Sequence, residues 1–212
     1  MRASKAKTEI RQGQIARAAL KLLAMHGWRK VSLAAIAKAV GIVPSDVYRH
    51  FSGKDEVLDA VLDLVDQSFQ TNLKVARQMT ADPVSCLHEV LTRHVQLISG
   101  GIPVPRIILS EDVFTRRSRH RKRVHDIYRD YLSEIAAIIQ EGQHKKLIRR
   151  KLSAETLSLM WLGLVQSPAI LWLVSSGGFD LRQHCERAWH IFSGMIQPPG
   201  METENSSFSK ES

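Results

Sequence analysis

The chain has 212 residues, 44% apolar and 24% charged, which suits one large or two small globular domains and excludes collagen, silk and a wholly disordered chain. Its net charge of +9 is concentrated: residues 1–54 hold eleven Lys and Arg against Glu9 and Asp46, while the remaining residues are balanced. Such asymmetry points to a polyanion as the partner of the first quarter, nucleic acid before membrane.

The opening MRASKAKTEIRQGQ is charged and lacks the apolar run of a signal peptide. Ile15, Ala19, Leu22 and Leu23 then fall at helical spacing, and His26-Gly27 ends that helix. Ser32 is placed as the N-cap of a short second helix with Leu33, Ile36, Ala37 and Val40 inward, closed by Gly41. Pro44 suits the first turn of a third helix whose inward pair is Val47 and Phe51. Ser52-Gly53-Lys54-Asp55 restarts the chain with a serine and acid that resemble a capping box, followed by Val57, Leu58, Val61, Leu62 and Val65.

Asp82-Pro83 opens a helix carrying Cys86, Leu87, Val90, Leu91, His94 and Ile98, and Gly100, Gly101, Pro103 and Pro105 break it. A short apolar segment, 106–114, leads to a basic run at 116–123. A long helix is expected over about 124–143, two more over roughly 153–176 and 181–197, and a disordered tail over 198–212. No stretch alternates with period two. The chain is all-α: a three-helix head followed by a larger helical bundle.

Three short helices joined by Gly-bearing turns fit a helix-turn-helix or an ordinary αα-corner. In the first case the third helix lies in the DNA major groove and shows Pro44, Ser45, Tyr48 and Arg49. The runs His26-Gly27-Trp28, Val31-Ser32-Leu33, Val40-Gly41-Ile42, Val47-Tyr48-Arg49-His50-Phe51 and Lys54-Asp55-Glu56-Val57-Leu58 closely resemble the DNA-binding domain of tetracycline-repressor (TetR) family regulators over about residues 8–60. The resemblance implies a one-component regulator, most often a repressor, that binds a palindromic operator on double-stranded DNA as a homodimer and is released by a small-molecule effector. It implies DNA-reading through residues 1–52, and sensing and dimerisation through 53–197. It places Ser32 at a cap near a phosphate, Tyr48, His50 and Lys54 on phosphates, and Pro44, Ser45 and Arg49 on base edges. Val43 departs from the family's usual capping Ser or Thr. Asp46 departs as well; it either accepts from a cytosine amino group or, as we favour, is a helix-start acid pointing sideways.

The effector pocket is expected among Leu87, Leu91, His94, Ile98, Arg106, Leu109, Phe114, Tyr128, Tyr131 and Trp161, largely apolar and suited to a hydrophobic or amphipathic ligand. Arg106, flanked by Pro105 and Ile107, either snorkels or meets an acidic group of that ligand at the pocket mouth. The charge-free run 156–179 is long enough to cross a membrane. Gln166-Ser167-Pro168 interrupts it, however, so a dimer interface with the helix after it is preferred, through Leu164, Val165, Pro168, Trp172, Cys185, Trp189 and Phe192. The basic run at 116–123 is a second nucleic-acid patch, an anion site for a phosphorylated effector or, as we favour, a solvated helix start paired with Asp126 and Asp130, and 145–151 reads likewise as a solvated loop.

Nine histidines show no ligand spacing: His88/His94 and His184/His190 are six apart, and Glu141-x-x-His144 occurs once. The two cysteines fit free thiols in a reducing compartment. Without a P-loop, GxGxxG, GxSxG or HExxH, no enzyme, metal or cofactor is expected, and the location is cytoplasmic. The rivals are a constitutive dimeric DNA-binding protein without effector, and a membrane-associated helical protein.

Overall fold

The computed structural model describes residues 2–102, 104–108, 110 and 119–199, with side chains omitted for 2–7 and 108. Among these residues the chain is helical throughout. Helix α1 (Arg2–His26) ends at Gly27, whose φ of 75° suits glycine alone, and a 3-10 turn (Trp28–Lys30) follows. In α2 (Leu33–Val40) the Ser32 hydroxyl accepts from the Ala35 N–H at 3.1 Å, the cap expected from the sequence. Gly41, left-handed at φ 78°, closes α2 and turns the chain into α3 (Pro44–Tyr48). Val43 provides no side-chain cap, and Pro44 removes one of the N–H groups that would have needed it.

The core of this head is Ile15, Ala19, Leu23, Trp28, Ile36, Ala37, Val47 and Phe51, all buried. Helix α4 (Lys54–Met79) begins beneath the head and continues into the bundle as one piece. Its inward register runs Leu58, Val61, Val65, Phe69, Asn72 and Ala76. The capping pair at its start is Ser52 and Glu56, not Ser52 and Asp55: the Glu56 carboxylate accepts from the Ser52 N–H at 2.6 Å and its hydroxyl at 2.8 Å. Those bonds also hold the Glu56 carboxyl below its usual range.

Helix α5 (Pro83–Ser99) is capped by Asp82, which accepts from Ser85 N–H at 2.7 Å, and α6 (Val104–Ile108) is a short crossing piece. Helix α7 (Arg119–His144) runs beside α4 in the same direction, with α8 (Ala154–Val174) and α9 (Leu181–Ile196) completing the bundle. Helix α8 passes straight through Pro168, which cannot donate to the Leu164 carbonyl; that carbonyl accepts instead from the Cys185 thiol of α9 at 3.3 Å. Among the described residues, α8 alone is long and apolar enough to span a membrane.

Candidate functional site

The candidate nucleic-acid face is built outward from Val47, which is fully buried and fixes the rotation of α3. Pro44, Ser45, Tyr48 and Arg49 consequently face solvent in one patch, with Ser32 exposed at the start of α2. The Arg49 guanidinium lies 3.3 Å from the Asp46 carboxylate, one turn back on the same helix. Asp46 is thus a helix-start acid turned sideways onto Arg49. His50 is half-buried, and its carbonyl accepts from Gln12 Nε2 at 3.2 Å, which ties the end of α3 to α1.

Lys54 is engaged differently from a free surface lysine. Its ammonium donates to the Trp28 carbonyl at 2.7 Å and the Arg29 carbonyl at 3.4 Å, and lies 4.9 Å from the centre of the Trp28 ring. It clamps the start of α4 to the turn after α1. A lysine ammonium has three donors, so one N–H remains beyond these two carbonyls.

In the bundle, Leu87, Leu91, His94, Ile98, Tyr131 and Trp161 are buried, and Tyr128 is half-buried. The structure gathers the aromatic members of this set around Phe69 of α4, which the sequence reading passed over. Phe69 stacks on Tyr131 at 4.4 Å between centroids and meets His94 in a tilted contact at 4.9 Å, with Tyr128 edge-on at 6.0 Å. Trp161 closes the cluster against Tyr131 and donates to the Leu87 carbonyl at 3.2 Å. Asn72, buried on α4, and Gln166, which hydrogen-bonds the Tyr128 hydroxyl, were also missed. Their signal was available: Phe69 and Asn72 continue the register of Val61 and Val65 at helical spacing.

Burial pushes the His94 pKa down to about 4 and raises those of Tyr128 and Tyr131. Arg106 on α6 is half-buried, with its Nε buried and unpaired among the described residues. Leu109 and Phe114 lie outside the described residues. Between α4, α6 and α7, a gap lined by Leu62, Val65, Val104, Ile107, Val124, Ile127 and Tyr128 measures only about 10 Å³, at or below the room one water needs.

The start of α7 is not a solvated run paired with Asp126 and Asp130. Arg119 meets Asp59 at 2.6 Å, and Arg123 meets both Asp63 and Asp66 at 3.0 Å. His120, buried, lies 3.2 Å from both the Asp59 carboxylate and the Asp55 carbonyl. Asp126 and Asp130 pair with Arg129 instead, at 2.8 Å each. The reason is helix placement: α4 lays its acids at 59, 63 and 66 along the edge that α7 approaches. Residues 116–118 lie outside the described residues. The 145–151 loop is likewise tied down, with Lys145 donating to the Ala81 carbonyl at 2.7 Å and Arg149 to the Gln197 carbonyl at 2.8 Å.

Helices α8 and α9 place the expected interface residues in two groups. Val165, Pro168, Cys185, Trp189 and Phe192 are buried within the subunit itself, so they are withdrawn from any surface between copies. Leu164 and Trp172 are half-buried against the core. What the two helices show outward is a different set: Met160, Gly163, Ser167, Leu171 and Val174 form a stripe on α8, and Ile191, Gly194 and Met195 one on α9. Among the described residues, six of the eleven large exposed hydrophobics lie on these two helices.

A family model described as bacterial regulatory proteins, tetR family, matches residues 15–61, and one described as YsiA-like protein, C-terminal region, matches residues 63–194. The chain is 21% identical over 168 residues to the fatty acid metabolism regulator protein of Bacillus subtilis, covering 79% of this chain and 86% of that one. It is 18% identical over 190 residues to the nucleoid occlusion factor SlmA of Photobacterium profundum, covering 90% and 97%. Among solved structures, the regulator FadR of Bacillus subtilis in complex with stearoyl-CoA superposes with a TM-score of 0.72 at 20% identity, over 87% of this chain and 98% of that one.

Proposed function

Because the chain belongs to the TetR family of bacterial regulatory proteins, and is therefore a DNA-binding transcriptional regulator, we propose that it represses its target genes from a palindromic operator as a cytoplasmic homodimer. In this reading residues 1–52 read the DNA, residues 53–197 sense and dimerise, and 198–212 are a tail. The observation that carries it is the α3 face: Val47 anchors the helix while Pro44, Ser45, Tyr48 and Arg49 are exposed on the side available to the major groove. Arg49 is the base reader, since a guanidinium fork matches a guanine edge. Ser32, Tyr48 and His50 act on phosphates with the remaining N–H of Lys54. The exposed stripes of α8 and α9 form the dimer seam as a four-helix contact.

The effector is an amphipathic fatty-acyl molecule. Its apolar part enters the core around Phe69, Leu87, Leu91, Ile98 and Tyr131, and Arg106 takes an acidic group at the mouth. The support is the apolar aromatic cluster together with the names of the fatty-acid regulators that the chain resembles. The gap of about 10 Å³ is too tight for an alkyl chain, so the ligand-bound form has α4, α6 and α7 parted. A ligand that binds that form better draws the population away from the DNA-competent spacing of the heads.

The test is footprinting of the purified protein on DNA flanking its own gene, repeated with palmitoyl-CoA. Protection of a two-fold symmetric site, lost with the acyl-CoA, is expected. Protection that no acyl compound relieves returns the chain to a constitutive binder.

A further inference from the structure

A buried N–H with no acceptor is destabilising, and folded interiors keep few of them. Among the described residues, the aromatic core of this bundle keeps two. Asn72, 7% exposed on α4, has no partner for its Nδ2. His94, fully buried on α5, has none for its Nε2. Phe69 relates them, since its ring packs on His94 and Asn72 follows it by one turn on the same buried face of α4.

The protons can be assigned. Tyr131 and His94 Nδ1 are 3.2 Å apart, and the tyrosine hydrogen has its acceptor there, so Nδ1 accepts and Nε2 carries the proton of the neutral ring. Asn72 Nδ2 is a donor by its chemistry. The core therefore offers two uncharged N–H groups, from two helices, and among the described residues no acceptor for either. A carboxylate brought to them would lose its hydration without gaining a countercharge from either group. A carbonyl oxygen has two lone pairs and no charge to desolvate.

We infer that the effector carries a neutral acyl carbonyl, and that Asn72 Nδ2–H and His94 Nε2–H donate to its oxygen. The inference rests on the effector reading above and adds the chemistry at the head of the chain. It makes this core selective for an ester, thioester or ketone over a bare alkyl chain, because only the former supplies what the two donors lack. It also sets the depth of binding: the carbonyl lies at the level of Phe69, and the apolar chain runs into the gap lined by Val65, Ile107 and Ile127 as that gap opens.

Two probes decide it: palmitoyl-CoA and hexadecyl-CoA, a thioether of the same chain length with a methylene in place of the carbonyl. Calorimetric titration of the full-length dimer should give palmitoyl-CoA about tenfold or more tighter binding, the penalty for leaving built donors unpaired. Asn72→Leu should shrink that preference several-fold while leaving the free protein at least as resistant to urea, because it deletes an unpaired donor. Nitrogen NMR of wild-type His94 should show Nε2 protonated and shifted by palmitoyl-CoA but not by the thioether. Equal affinity for the two probes in the wild type overturns the carbonyl inference and leaves the effector reading intact. Failure of both probes to bind removes the effector reading and this inference with it. A crystal structure with palmitoyl-CoA in which neither Asn72 nor His94 lies within hydrogen-bond distance of the carbonyl oxygen also overturns it.

Discussion

Leu171→Glu should convert the proposed dimer to folded monomers. Leu171 is 63% exposed in the isolated subunit, Val174 78% and Ile191 75%, an unusual density of bare aliphatic surface on two neighbouring helices. Full burial of such a side chain stabilises by about 1.5–3 kcal/mol, so covering the exposed part of Leu171 gives about 1–2 kcal/mol per copy. Two-fold symmetry doubles that figure, and each glutamate adds a carboxylate desolvated without a partner, at several kcal/mol. The sum is well above about 5 kcal/mol, or more than about a thousandfold in the dimer dissociation constant. Sedimentation velocity at micromolar concentration reads the mass, and far-ultraviolet circular dichroism reads the fold. Leu164→Glu is the informative contrast: Leu164 packs against the subunit's own core, so its glutamate should lower the melting temperature of the subunit itself. A Leu171→Glu protein that stays dimeric with wild-type affinity refutes the seam on α8 and α9.

Four further outcomes are expected. Arg49→Ala should lower operator affinity more than affinity for scrambled duplex, by about 1–3 kcal/mol, and equal losses on both would reject base reading. Asp46→Ala frees the Arg49 guanidinium and should raise scrambled-duplex binding, an effect that weakens as salt is added. Lys54→Met keeps the stem but removes the charge bonded to the Trp28 carbonyl; the melting temperature should fall, and the slope of log affinity against log salt should become shallower by about one unit. For His94, the folded value of about 4 lies below the ordinary 6.5, so the unfolded chain takes up the proton first as pH falls, and stability is lost from 6.5 down to about 4. The loss is about 3 kcal/mol, read as the urea-denaturation difference between wild type and His94→Gln at pH 7 and pH 4; no difference would show that the ring is not buried neutral.

The head was legible because its structure is local. Ser32, Gly41, Pro44 and Val47 each state a cap, a turn or an inward position within four or five residues, and the structure places each as expected. The bundle was legible only as helices. Whether Val165 or Leu171 faces outward depends on which neighbour covers α8, and an almost wholly apolar helix carries no stripe that says so. The basic start of α7 was misread for a similar reason. Its partners, Asp59, Asp63 and Asp66, sit about sixty residues earlier, and only the packing of α7 along α4 brings them within reach. Asn72 was overlooked because one polar residue in an apolar register reads as a solvated position, whereas burial on α4 makes it an unpaired donor.

In the proposed function helix α4 joins reading and sensing, and its contacts give a route by which a small opening in the bundle would reach the DNA. Its first turn is clamped to the head by Lys54 on Trp28 and by Glu56 on Ser52. Its middle carries Phe69 and Asn72 into the core, and its outer edge is held by Arg119, His120 and Arg123 of α7. A chain of carbon atoms entering the gap between α4 and α7 cannot be absorbed by the side chains there, because a space of about 10 Å³ leaves them nowhere to go. The helices must separate instead. The exposed Arg119 and Arg123 pairs resist that weakly, at about 1 kcal/mol or less each, so they guide the movement of α4 more than they oppose it. Because the head is fixed to the first turn of α4, a tilt of that helix would change the distance between the two heads of the proposed dimer. An operator with fixed half-site spacing would then be held by one head at a time.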